Sequence, residues 1–322
     1  MKLLNKILFA AFFLLTPNWL TPNVVWAENI SLADLLNPDL QIKIVADQFG
    51  LSRELQPRVD SEAVIETTGE YFIKHYQLST PKLGSFELNM KLPIAREREP
   101  RPALFLVPGY GGNDKSFKHM RDSGDNVVVE FVYPAVPSTD PTGLAIYGLE
   151  NTLKIQAQMA VALLWAARHP AIQGDRINIV SVSLGTFLVP ASIRLAQQFG
   201  FAAYTSIFAY GGADIKAFLL PLIQQKLRPS DFGKLSGPLA ALFDFIDPNS
   251  QLPFLKGRFL VVNASDDEVI PKESTAALVK NLPMPKDIIT VPLGHIGVGK
   301  DKLINQLVEI VLTWLHQQEA IN

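Results

Sequence analysis

The chain has 322 residues, 48% of them hydrophobic and 19% charged, with a formal net charge of -2 at pH 7 and no cysteine. That balance belongs to a globular protein rather than a disordered one, and the near-neutral charge excludes the basic surface that a nucleic-acid backbone requires. The lack of cysteine excludes disulfides, thiolate metal sites, a lipidated cysteine and a cysteine nucleophile together, so the fold must be held by its core alone.

Residues 1–27 differ in kind from the rest. Lys2 and Lys6 precede the apolar run Ile7 to Leu15, and Val25-Trp26-Ala27 offers small residues at the cleavage-rule positions. This is the pattern of a secretory signal peptide cleaved after Ala27. Pro17 and Asn18 break the apolar run short of the roughly 20 residues a spanning helix needs, which leaves an uncleaved anchor as the alternative. Cleavage would take the formal charge from -2 to -4, and export to the periplasm or medium, without stable membrane insertion, is the expected destination.

Residues 28–68 read as an N-terminal arm, with an apolar-periodic piece around Leu40 to Phe49; the arm either packs on the main domain or borders its site. The domain itself is expected over 69–322. Tyr71 to Leu78 and Phe86 to Leu92, separated by Thr80-Pro81-Lys82-Leu83-Gly84, suggest a hairpin. Beyond the charged linker Ala95 to Arg101 the pattern changes to continuous apolar runs: Ala103 to Val107, Val127 to Tyr133, Ile177 to Val182, Phe201 to Phe208, Phe259 to Val262 and Ile288 to Val291. Such runs look like strands buried on both faces, as in a parallel sheet.

Helical patterns lie between them. Ile155, Met159, Ala162, Leu163 and Ala166 repeat at helical spacing with Pro170 shortly beyond, and Leu303, Leu307, Val311, Trp314 and Leu315 form a closing amphipathic helix after Asp301. Alternating strands and helices predict an α/β protein with a mostly parallel, doubly wound sheet covered on both faces. The stretch 213–250 is longer than a simple crossover. Its apolar clusters, split by Pro229 and Gly237-Pro238, read either as a helical cap walling a pocket or as a decorated crossover.

In open parallel sheets ligands sit beyond the carboxyl ends of the strands. Ser183 follows one such strand in Ser181-Val182-Ser183-Leu184-Gly185, where small neighbours leave room for a tight strand-to-helix turn that exposes the central side chain. The commoner motif has Gly where Ser181 stands. After Val107 comes Pro108-Gly109-Tyr110-Gly111-Gly112, a turn whose backbone N–H groups are open to a ligand. The N–H groups of Tyr110 and Leu184 are candidate donors to the oxyanion of a tetrahedral intermediate. After Val262 three acids crowd together, Asp266, Asp267 and Glu268, where solvation or helix capping would equally account for any one of them. Of five histidines, His295 directly follows a predicted buried strand.

These residues and their order, serine then acid then histidine, resemble the α/β-hydrolase family from about Tyr71 to the C-terminus. The run Asp267-Glu268-Val269-Ile270-Pro271 is similar to the family's acid turn, which implies Asp267 as the triad acid; Asp266 is the neighbouring register, and Asp214 stands where the family's acid is occasionally found. Pro108-Gly109-Tyr110-Gly111 is similar to the family's oxyanion turn with Pro in place of His. The resemblance implies a triad of Ser183, Asp267 and His295 that cleaves a small-molecule ester or acyl substrate without metal or cofactor. A peptidase or an acyltransferase on the same triad stays open, as does a non-catalytic binding protein, for which Ser181 and the mid-helix Pro190 speak. Gly294 to Lys300 fits a phosphate-loop spacing, but Asp301 stands where Ser or Thr would hold magnesium, and Gly109 to Asp114 lacks the last glycine of a dinucleotide fingerprint.

Overall fold

The computed structural model describes residues 37–94, 99–109, 119–120, 124–134, 141–217, 220, 224, 240, 243–297 and 299–322. The expected signal peptide 1–27, the first part of the arm, Tyr110 and most of 213–250 lie outside the described residues.

The described chain opens with helix α1, Pro38–Phe49. Asn37 caps it by accepting the N–H groups of Asp39 and Leu40, Pro38 fits the first turn, and Gly50 closes it at φ 66°, a left-handed conformation natural to glycine. Its buried stripe, Ile42, Val45, Ala46 and Phe49, belongs to the main core. Arg194 pairs with Asp39 at 2.7 Å and Gln251 donates to Gln41 at 2.8 Å, so α1 is packed against the rest of the described chain.

Nine strands form one sheet: β1 Arg58–Thr67, β2 Tyr71–Thr80, β3 Gly84–Pro93, β4 Arg101–Val107, β5 Val127–Val132, β6 Ile172–Val182, β7 Thr205–Ala209, β8 Arg258–Ala264 and β9 Lys286–Val291. Their order is β1-β2-β3-β5-β4-β6-β7-β8-β9. Pairs from β1 through β3 to β5 are antiparallel, and from β5 to β9 every pair is parallel. The sheet therefore starts inside the stretch read as an arm. Along β1 the side chains are exposed except for half-buried Glu66, so no buried face marked it as a strand.

Alternation along the strands sends side chains to two cores. Phe105 and Val107 join the cluster beneath α1, α2 (Pro141–Ala166) and α3 (Leu184–Gln198). Leu104 and Leu106 join the opposite one, closed by Leu307, Val311, Trp314 and Leu315 of α5 (Asp301–Gln317). Helix α4, Lys272–Asn281, packs Leu278 into the first core. This is the expected mostly parallel sheet covered on both faces. One strand departs from expectation: β9 is a sheet edge with Val291 its one buried residue and Ile288 48% accessible, and not a strand buried on both faces. Pro190 is buried within α3, which continues through it to Gln198.

The base of the 213–250 stretch is closed by Asp247. Its carboxylate, 6% exposed, accepts the N–H groups of Asp214, Ile215 and Asn249 at 3.1, 2.7 and 2.8 Å. Burial and the nearby Asp214 charge nevertheless raise its pKa above the ordinary carboxylate value.

Candidate active site

Strand β4 connects to β5 on one side while β6 lies on its other side, so the chain reverses direction across the sheet at the carboxyl ends of β4 and β6. Ligand crevices form at such a switch point. Gly109 and Ser183 face one another there: a Cβ on Gly109 would stand 3.1 Å from the Ser183 Cβ.

Ser183 is the single residue between β6 and α3. Its φ of 49° and ψ of -116° put a non-glycine residue in sparsely populated backbone space. Surrounding bonds hold it there: its N–H donates to Ala209 O at 2.9 Å, and its carbonyl accepts from Thr186 N at 3.0 Å and Thr186 Oγ1 at 2.7 Å. Gly185 is required by space, because a Cβ there would fall 2.4 Å from Val107 O. Ser181 needs no such void. Fully buried, it donates its hydroxyl to Ile207 O at 2.8 Å across to β7, which accounts for serine where the commoner motif has glycine.

Ser183 Oγ lies 2.9 Å from His295 Nε2, and His295 Nδ1 lies 2.8 and 3.0 Å from the two oxygens of Asp267. The network assigns the ring proton to Nδ1, which donates to Asp267, and leaves Nε2 to accept the serine hydroxyl. The His295 and Asp267 side chains are 9% and 8% exposed, so the pair sits in a lower dielectric than water. Asp267 Oδ1 also accepts the N–H groups of Val269 and Ile270 at 2.9 and 2.8 Å, which fixes the carboxylate's direction.

The other candidates go elsewhere. Asp266 is exposed on the same turn. Asp214 accepts the Ala217 N–H at 3.0 Å, at the start of a helical turn. His75 and His119 pair with Asn89 and Asn305 at 2.9 and 2.8 Å, and the His169 ring lies among Tyr76 and Trp165. Leu184 opens α3, so its N–H is one of the first-turn donors that a helix leaves without an intrahelical acceptor. Its proposed partner donor, Tyr110, lies outside the described residues. Among the described residues no group of three or more His, Asp or Glu is gathered to hold a metal ion.

Three residues have roles at the site that the sequence did not give. Tyr210, after β7 at φ 52°, is buried with its ring edge-on to His295, centroids 6.2 Å apart. Burial first, then the Asp267 charge, raises its pKa and keeps the hydroxyl protonated. Glu268 accepts the His295 N–H at 2.8 Å, and Lys300 donates to the His295 carbonyl at 2.6 Å. The Glu268 carboxyl is held down to about 2, first by the His295 N–H, then by its own backbone N–H and by Lys300. Tyr210 had a legible signal, its place at a strand end; Glu268 and Lys300 act through backbone atoms and had none.

No protein-family model and no curated protein matches the chain by sequence. Solved structures do match by shape. Acetyl xylan esterase 1 from a Thermoanaerobacterium species is 16% identical, with a TM-score of 0.64 over 88% of this chain and 99% of that one. An acetyl xylan esterase from a Paenibacillus species is 15% identical, with a TM-score of 0.65 over 87% and 99%. Dipeptidyl peptidase 4 of Porphyromonas gingivalis is 14% identical, with a TM-score of 0.57 over 77% of this chain but 36% of its own. The mostly parallel nine-stranded sheet and the extent of these overlaps show that this chain has the α/β-hydrolase fold.

Proposed function

We propose that the chain is an exported serine hydrolase that cleaves a small carboxylic ester through an acyl-enzyme. The observation that carries the reading is the unbroken hydrogen-bonded run from Ser183 Oγ through His295 to Asp267, at 2.9 and 2.8 Å, on three separate strand ends. A serine hydroxyl is a weak nucleophile near neutral pH, so His295 Nε2 removes its proton as Oγ attacks the ester carbonyl carbon. Asp267 orients the ring and balances the imidazolium charge. The negative oxygen of the tetrahedral intermediate takes N–H donors from Leu184 and Tyr110, each worth about 3 kcal/mol in such a transition state. Collapse breaks the bond to the alcohol, which leaves with the proton from His295. Water then enters by the same route in reverse, releasing the acid and restoring the serine.

The acetyl xylan esterases of like shape support an ester over an amide and make acetyl esters the first substrates to test. Residues 1–27 are read as a signal peptide removed on export. No helix among the described residues is long and apolar enough to cross a membrane.

A fluorophosphonate probe should label the mature protein at Ser183 and fail on Ser183→Ala and His295→Ala. An unlabelled wild type would sink the hydrolase reading. p-Nitrophenyl esters of graded length, from acetate upward, beside peptide amides and an alcohol acceptor sort esterase from peptidase and acyltransferase. Mass spectrometry of the exported protein should find Glu28 at the N-terminus; an intact Met1 refutes cleavage.

A further inference from the structure

His295 sits in irregular backbone, Pro292 to Gly297, that follows β9. Side chains on loops depend on other contacts for their position. Two charged groups grip the backbone on either side of this histidine. Glu268 Oε2 accepts the His295 N–H at 2.8 Å, Lys300 Nζ donates to the His295 carbonyl at 2.6 Å, and Lys300 closes the ring on Glu268 Oε1 at 3.2 Å. We propose that Glu268 is a positioning residue for the triad, fixing the peptide groups that flank His295 to the turn that carries Asp267. The inference rests on the hydrolase reading for its kinetic test, though not for its structural one.

Sequence adjacency supplies the leverage. Asp267 holds the imidazole and Glu268, the next residue, holds that histidine's own amide, so one rigid turn sets both ring and backbone. The turn is itself pinned by the Val269 and Ile270 N–H groups on Asp267. Glu268 and Lys300 are 57% and 44% exposed, so their ion pair alone adds little to stability. A charge-assisted bond to a backbone N–H is directional, however, and its effect falls on geometry. Gly294 belongs to the same device, since a Cβ there would stand 2.7 Å from Glu268 Oε2 and push the carboxylate off the amide.

The test compares full mature wild type with Glu268→Ala, Glu268→Gln and Gly294→Ala. The readouts are the rate of fluorophosphonate labelling, kcat and KM on p-nitrophenyl acetate, thermal unfolding, and the downfield proton resonance of the His295–Asp267 hydrogen bond. Because loosening reacting groups by a fraction of an ångström is costly, Glu268→Ala should lower kcat and labelling about tenfold with KM unchanged. Its downfield resonance should broaden while the unfolding temperature holds. Gly294→Ala should reproduce this with the glutamate still present. Glu268→Gln keeps an acceptor for the His295 N–H and should recover to within about threefold of wild type. Wild-type labelling and an undisturbed resonance in Glu268→Ala overturn the proposal, as does a glutamine variant as slow as alanine. If wild type itself does not label, the hydrolase reading fails, and the resonance in wild type against Glu268→Ala decides the positioning role alone.

Discussion

Replacing Gly185 by Ala adds one methyl group two residues from the candidate nucleophile. The residue lies in the first turn of α3, where alanine is by propensity better than glycine by up to about 1 kcal/mol. Space is the obstacle. The added Cβ would fall 2.4 Å from Val107 O and 2.9 Å from Val107 Cγ1, whereas an ordinary close approach of carbon to carbonyl oxygen is about 3.3 Å. Val107 O belongs to a central strand paired on both sides, so it is the start of α3 that must retreat, by about 0.9 Å on that comparison. Overpacking of this kind costs about 1–3 kcal/mol, and less a propensity gain of up to about 1 kcal/mol it lowers Tm by at most roughly 8 °C. Ser183 moves with the helix start, and a shift near 1 Å in a reacting group costs about a hundredfold in rate. Fluorophosphonate labelling beside a thermal melt by circular dichroism measures both. Labelling within threefold of wild type would refute the claim that Gly185 is required by space.

Ser181→Gly restores the commoner motif and removes the buried bond to Ile207 O, so it should cost about 1–2 kcal/mol in denaturant unfolding while labelling stays at the wild-type rate; a slower label would mean that Ser181 acts on the site. Asp247→Asn turns an amide NH2 toward one of three converging N–H groups and should cost about 1–3 kcal/mol. Its pH dependence has a definite sign. Because the folded pKa is raised, the wild-type carboxyl's contribution is full below its unfolded value of about 3.9 and falls as pH rises through the folded value. The advantage of wild type over Asp247→Asn should therefore be greatest in acid and shrink toward neutrality, and an advantage that grows with pH would refute the assignment.

The central strands were readable because a strand buried on both faces writes a continuous apolar run: Ala103 to Val107 in β4 is buried throughout. The edges obey other rules. β1 carries Arg58, Asp60, Glu62 and Glu66 among its exposed or half-buried residues, a composition that suits an unpaired edge and looks like a loop in sequence. β9 misleads in the opposite direction, since Ile288 and Ile289 imitate a core strand while Ile288 stays exposed at the sheet's far edge.

The candidate site was legible for a related reason. Parallel pairing from β6 through β9 aligns Val182 with Ala209, Ala209 with Val262, and Ala264 with Val291, so strand ends distant in sequence finish at one level of the sheet. A polar residue shortly past each end is thereby delivered to the same crevice, and Ser183, Asp267 and His295 stand in those places. Sequence position conveys that much but not which acid turns inward. Asp266 faces solvent while Asp267 is seized by the Val269 and Ile270 N–H groups and aimed at the ring. The part Glu268 plays was beyond reach for a deeper reason. Its partner is the N–H of His295, a group that every residue but proline carries, so no side-chain identity announces the bond, and only the path of the chain through space brings it about.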